Sequence, residues 1–175
     1  MKKRPFWRTL ALVLMLVIST AFASDAVEFQ TYMLDDFTAA MVKMGMLPEG
    51  TTNPEPEEAD TGDTDLFDTD YHYNDLITVC VRNDLQAGVS SYQLSLDLYY
   101  ASDDFPLEDV FAEFVIAFND QAFTHEEALA LIAELHEHPA EADEYGSAIQ
   151  IIQGAYTYYQ YVNDSDPEIS LRISK

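Results

Sequence analysis

Ile149-Gln-Ile-Ile-Gln-Gly-Ala-Tyr-Thr-Tyr-Tyr-Gln-Tyr-Val162 is the stretch on which the fold turns. Tyr145, Ala148, Ile152, Ala155, Tyr159 and Val162 recur at steps of three and four residues and would suit one helical face. The density of β-branched and aromatic residues between Ile149 and Val162 suits a pleated surface better. The chain that follows decides. Asn163-Asp-Ser-Asp-Pro167 is a turn cluster, after which Ile169, Leu171 and Ile173 alternate with Ser170, Arg172 and Ser174. A strand after a short turn needs an antiparallel neighbour, so 149–162 is read as a single strand with a kink or bulge near Gly154.

Working back along the chain, Ile77, Val79 and Val81 alternate with Thr78, Cys80 and Arg82. Tyr92, Leu94, Leu96, Leu98 and Tyr100 alternate with Gln93, Ser95, Asp97 and Tyr99. Both are period-two strands with one apolar side. Setting Val81 against Tyr92, Val79 against Leu94 and Ile77 against Leu96 gathers every apolar residue on that side. A slip of one residue would bury the polar set instead.

Helices separate the strand pairs. Pro106 belongs in a first helical turn, and Leu107, Val110, Phe111, Phe114, Val115 and Phe118 form a broad apolar stripe behind it. Thr124-His-Glu-Glu127 is a capping box, continued by Leu129, Ile132 and Leu135 and stopped by Pro139. Val27 to Leu47 is a further helix, with Met33, Phe37, Ala40, Met41 and Met44 on one face and Gly45 and Pro48 ending it. The expected architecture is therefore α+β, an antiparallel four-stranded sheet of two hairpins with helices packed on one face, in the order α-linker-ββ-αα-ββ. The expected segments are a signal peptide at 1–23, an N-terminal helix at 24–47, an acidic Pro- and Thr-rich linker at 48–70, and the α+β domain at 71–175. The linker, with Pro48, Pro54, Pro56 and little apolar content, is expected to be extended or mobile.

The address lies at the start. Lys2, Lys3, Arg4 and Arg8 precede an apolar run from Leu10 to Ile18, and Ala21-Phe-Ala23 supplies small residues at signal-peptidase spacing. The apolar run is shorter than the roughly 20 residues a spanning helix needs, and no Cys stands at the cleavage point for a lipid anchor. The expectation is a secreted or periplasmic protein without stable membrane insertion once the signal is removed. From Ser24 onward Lys43, Arg82, Arg172 and Lys175 stand against all 32 Asp and Glu, a formal charge of −28. Nucleic acid and anionic membranes need clustered cations to displace counterions, so neither is an expected partner. Cationic partners, divalent ions and plain solvation all remain compatible. Cys80, the only cysteine, has no partner for an internal disulfide, so burial must stabilise the fold.

Chemical motifs are sparse. His125-Glu-Glu-Ala-Leu129 lacks the second His of a zinc-protease helix, and His136 and His138 are two apart and point to different faces. Asp60, Asp63, Asp65, Asp68 and Asp70 are crowded, yet Asp63-Thr-Asp-Leu-Phe-Asp68 breaks the EF-hand pattern at its third ligand and has no Gly at the bend. Weak calcium association is the most this segment suggests, and no cofactor is expected. No serine sits in a nucleophile elbow. One patch stands out. Pairing Tyr161 with Ile169 and Tyr159 with Leu171 sets Tyr158 opposite Arg172 and Tyr156 near Ser174. Tyr156, Tyr158, Arg172, Arg82 and Gln93 would then share the wet side of the sheet, and Tyr and Arg dominate binding hot spots. The same residues would also serve as cross-strand pairs that only stabilise the sheet. The expected function is an exported non-catalytic binding module for a protein or a glycan. A small secreted hydrolase using carboxylates and a calcium-responsive acidic protein are the alternatives.

Overall fold

The computed structural model describes residues 32–59, 66–84, 89–119, 123–142, 146–163 and 167–174. The signal segment and Asp60, Asp63 and Asp65 lie outside them. The four-stranded sheet is overturned: all eight strands of the described chain form one antiparallel sheet, in the order β1-β2-β3-β4-β8-β7-β6-β5. The strands are β1 (Glu57–Ala59), β2 (Leu66–His72), β3 (Ile77–Asp84), β4 (Val89–Asp97), β5 (Glu141–Ala142), β6 (Gly146–Gln153), β7 (Tyr156–Asn163) and β8 (Glu168–Ser174). Three helices join them: α1 over 32–43, α2 (Leu107–Phe118) and α3 (His125–Glu137). A short 3-10 turn, Leu98–Tyr100, leaves β4. The sheet is thus two up-and-down ribbons, β1–β4 and β5–β8, joined where β4 pairs with β8.

The expected strand count and order fail for two physical reasons. Residues 149–162 are not one bulged strand but two, β6 and β7. Gly154 has a φ of 64°, and among the described residues no non-glycine residue has a positive φ, so Gly154-Ala155 uses the backbone of a type II′ hairpin turn. The acidic stretch before Tyr71 also pairs, as β1 and β2. Asp70 can lie in a strand because it faces the open trough, and buried Asp68 can because Arg82, opposite it on β3, pairs with its carboxylate.

The register Val81–Tyr92, Val79–Leu94 and Ile77–Leu96 is the one observed. Across the seam Tyr92 meets Ile173, Leu94 meets Leu171 and Leu96 meets Ile169, so the apolar rows of β3, β4 and β8 are continuous. The helices cover this side. On α2, Val110, Phe111, Phe114, Val115 and Phe118 are all buried. Phe118 lies 4.6 Å from Phe114, 5.2 Å from Tyr92 and 6.1 Å from Phe37, tying α2, the sheet and α1 together. On α1, Met33, Leu34, Phe37 and Met41 enter the same core. Gly45, at φ 78°, ends α1 in a Schellman arrangement, with its N–H donating to Val42 at 3.0 Å and the Met46 N–H to Met41 at 2.9 Å. The chain then folds back: Thr38 Oγ1 donates to Asn53 Oδ1 at 2.6 Å and shares a hydrogen bond with the Tyr73 hydroxyl at 2.8 Å. Thr124 and Glu127 form the expected capping box at the start of α3.

Leu171 is fully buried in a central strand, so Leu171→Ala should cost about 2–5 kcal/mol in urea unfolding. Ile152, exposed on β6, should change stability by no more than ~0.5 kcal/mol as Ile152→Ala. Equal effects at the two positions would contradict this arrangement.

Candidate functional site

Among the described residues, the side of the sheet away from the helices bears an open trough. Along β3 it carries Thr78, Cys80 and Arg82, and along β4 Ser91, Gln93 and Ser95. Cross-strand pairing adds Asp68 and Asp70 from β2, and Glu168 and Arg172 from β8. With Asp75, Leu76 and Asp97 these residues line an open trough of about 500 Å³. The period-two alternation that buries Val79, Leu94 and Leu171 is what turns this polar row outward.

The two arginines are held differently. Arg82 makes a two-pronged pair with Asp68: Nε donates to Oδ1 at 2.7 Å, and Nη2 donates to Oδ2. That hydrogen bond holds the Arg82 guanidinium above its already high pKa. Arg172 instead donates from Nε at 3.1 Å and from Nη2 at 2.7 Å to one neutral atom, Gln93 Oε1. Gln93 Nε2 passes the chain on to Ser95 Oγ at 3.1 Å. The Arg172 guanidinium also sits 5.9 Å from the centre of the Tyr159 ring. Among the described residues Arg172 has no ion-pair partner. Its charge is positioned by an amide and a ring rather than neutralised by a carboxylate.

Of the expected patch, the structure brings together Arg172 and Gln93, and places Arg82 in the same trough. Tyr156 and Tyr158 are not there. The β7–β8 register differs by one residue from the expected one: Tyr159 faces Arg172, and Tyr158 faces Ile173. One step changes sides for the whole strand. Tyr156 and Tyr158 lie under the helices at 5 % and 1 % exposure, where Asn119 Nδ2 donates to the Tyr158 hydroxyl. Buried Gln160 is met in the same layer by His136 Nε2 at 2.9 Å. Tyr159 is the residue the sequence reading missed. Its signal was the polar partner available to each tyrosine, which period-two counting does not register.

Burial, reinforced by the hydrogen bond and charge of Asp70 and by Asp68, pushes the Cys80 thiol up from 9.0 to about 12, against the pull of Arg82. A thiol so held is protonated at neutral pH and is a poor nucleophile. Among the described residues no group of three or more His, Cys, Asp or Glu side chains is arranged to hold a metal. Asp68, one of the crowded aspartates, is already engaged by Arg82. No helix of the described residues is long and apolar enough to cross a membrane. Comparison with protein-family models, curated proteins and solved structures returned no match.

Cys80 yields a direct check. At pH 9 a thiol reagent such as DTNB should react with the folded chain on the order of 10²-fold or more slowly than with the urea-unfolded chain, since little thiolate exists in the fold. Stability should follow the same titration. Burial also raises the Tyr73 hydroxyl from 10.0 to about 12. Both groups ionise first in the unfolded chain, so their contribution is intact below pH 9 and is lost as pH rises from 9 to 12. The urea midpoint should fall over that window, less steeply in Cys80→Ser. A flat profile, or rapid labelling of the folded chain, would contradict the burial of this thiol.

Proposed function

We propose that this chain is an exported binding module and that the open face of the sheet is its working surface, taking a polar protein or glycan ligand. The observation that carries the reading is the state of Arg172. An arginine without a carboxylate partner among the described residues stands in a trough otherwise rich in carboxylates, oriented by Gln93 and flanked by Tyr159. Such an arginine keeps donors for a ligand while its ordering cost is already met in the free protein. The trough volume, about 500 Å³, is in the range that ligand sites occupy. The surrounding Asp70, Asp75, Asp97 and Glu168 favour neutral or cationic ligands over anionic ones. Export rests on the basic start, the apolar run and Ala21-Phe-Ala23.

The test is a screen of the mature chain on glycan and cell-envelope protein arrays, repeated with Arg172→Ala and Tyr159→Ala. Both side chains are half-buried and neither belongs to the core, so melting should change little. A genuine ligand should bind roughly 10- to 100-fold more weakly to each variant, as hot-spot Arg and Tyr truncations do. Binding that neither substitution alters would remove the open face as the working surface.

A further inference from the structure

The two edges of the sheet are unequal. At one, β1 is the outermost strand and presents exposed Glu57 and Glu58. Charges of this kind stop a stray strand from adding on. At the other edge β5 is only Glu141–Ala142, and it pairs with Ala148 and Ser147 alone. Among the described residues, then, no strand flanks Ile149–Gln153 on the side away from β7. In an antiparallel ladder alternate residues of such an edge direct N–H and C=O outward. No charged residue occurs from Gly146 to Val162, and no Pro. Ile152 is 70 % exposed, and Gln150 and Gln153 are exposed beside it. Neither a charge nor a proline, two of the usual protections of an edge, is present on this segment.

The chemistry of the edge defines its occupant. Outward amides and carbonyls are satisfied by another extended backbone, so the complement is a β-strand. Charge then decides whose strand it is. Exposed Glu141 marks the end where β5 stops. At the other end Gln153 and Gly154 share a groove with Glu127 and Glu134 of α3. The uncharged run is therefore bracketed by carboxylates. A second copy would bring the same carboxylates, and the same large acidic excess, against them. A strand with basic residues at its ends meets them favourably. We propose that Ile149–Gln153 is a docking edge for an extended segment of a partner protein, uncharged at its centre and bearing Lys or Arg at both ends. This site is distinct from the open face and does not depend on it.

A blocked peptide of alternating Val and Thr with two Lys at each end is the probe. Its binding to the mature chain is followed by fluorescence anisotropy, and backbone protection by hydrogen exchange. Saturating peptide should slow exchange at Ile149–Gln153 by at least about tenfold, because edge amides gain partners there. The same peptide N-methylated at alternate backbone nitrogens should bind at least ~10-fold more weakly, as should a version with Glu in place of Lys. Ile152→Lys, at an exposed position, should leave melting unchanged and weaken the Lys peptide by a similar factor. Each of these results would overturn the proposal: no saturable binding at millimolar peptide, equal binding of the N-methylated form, or protection confined to other strands. Concentration-dependent self-association that protects Ile149–Gln153 without peptide would overturn it in favour of a second copy.

Discussion

The pairing of β4 with β8 is the constraint on which everything else rests. It joins two ribbons that are made at opposite ends of the sequence, and it sets Leu94 against Leu171 at the centre of the sheet. A ribbon of four strands has one oily side and two open edges. Joining two of them removes an edge from each and makes a single apolar floor for α1, α2 and α3. The contact of Phe118 with Tyr92 is made on that floor. With Cys80 the only cysteine, no internal disulfide shares the task, and apolar burial has to carry the stability.

The same seam creates the open face. Each residue buried in β4 or β8 forces its neighbours to the opposite side, so the polar trough is the geometric complement of the core. Asp70 enters a strand on that side half-exposed to water, and buried Asp68 enters it because both its carboxylate oxygens accept from Arg82. Tyr158 and Gln160 show the opposite case. Polar groups that fall on the covered side are kept there by Asn119 and His136, and among the described residues no buried side-chain nitrogen or oxygen is left without a partner.

How much of this the sequence reveals depends on whether a pattern is local. The β3–β4 register follows from alternation alone, because every apolar residue of Ile77–Val81 and Tyr92–Leu96 demands the same side. The capping box of α3 is likewise written within four neighbouring positions. The β6–β7 turn is harder to read. In Tyr156–Tyr161 both alternating sets contain tyrosine, so hydrophobicity does not choose the buried one. The choice is made by Asn119 and His136, which lie far away in the chain. Period-two reasoning therefore assigns Tyr158 to the wet side and Tyr159 to the dry side, each the reverse of its place. The strand character of Leu66–His72 is hidden for a related reason: its aspartates suggest a loop until β3 offers Arg82 to Asp68 and the open face to Asp70.

Cross-strand backbone NOEs in solution test this most directly, because they read strand order and register without reference to side-chain burial. Contacts between Leu94 and Leu171 and between Tyr159 and Arg172 are expected. Contacts between Tyr158 and Arg172, or the absence of any β4–β8 contact, would contradict this arrangement: the first would turn the buried tyrosines to solvent, and the second would separate the two ribbons.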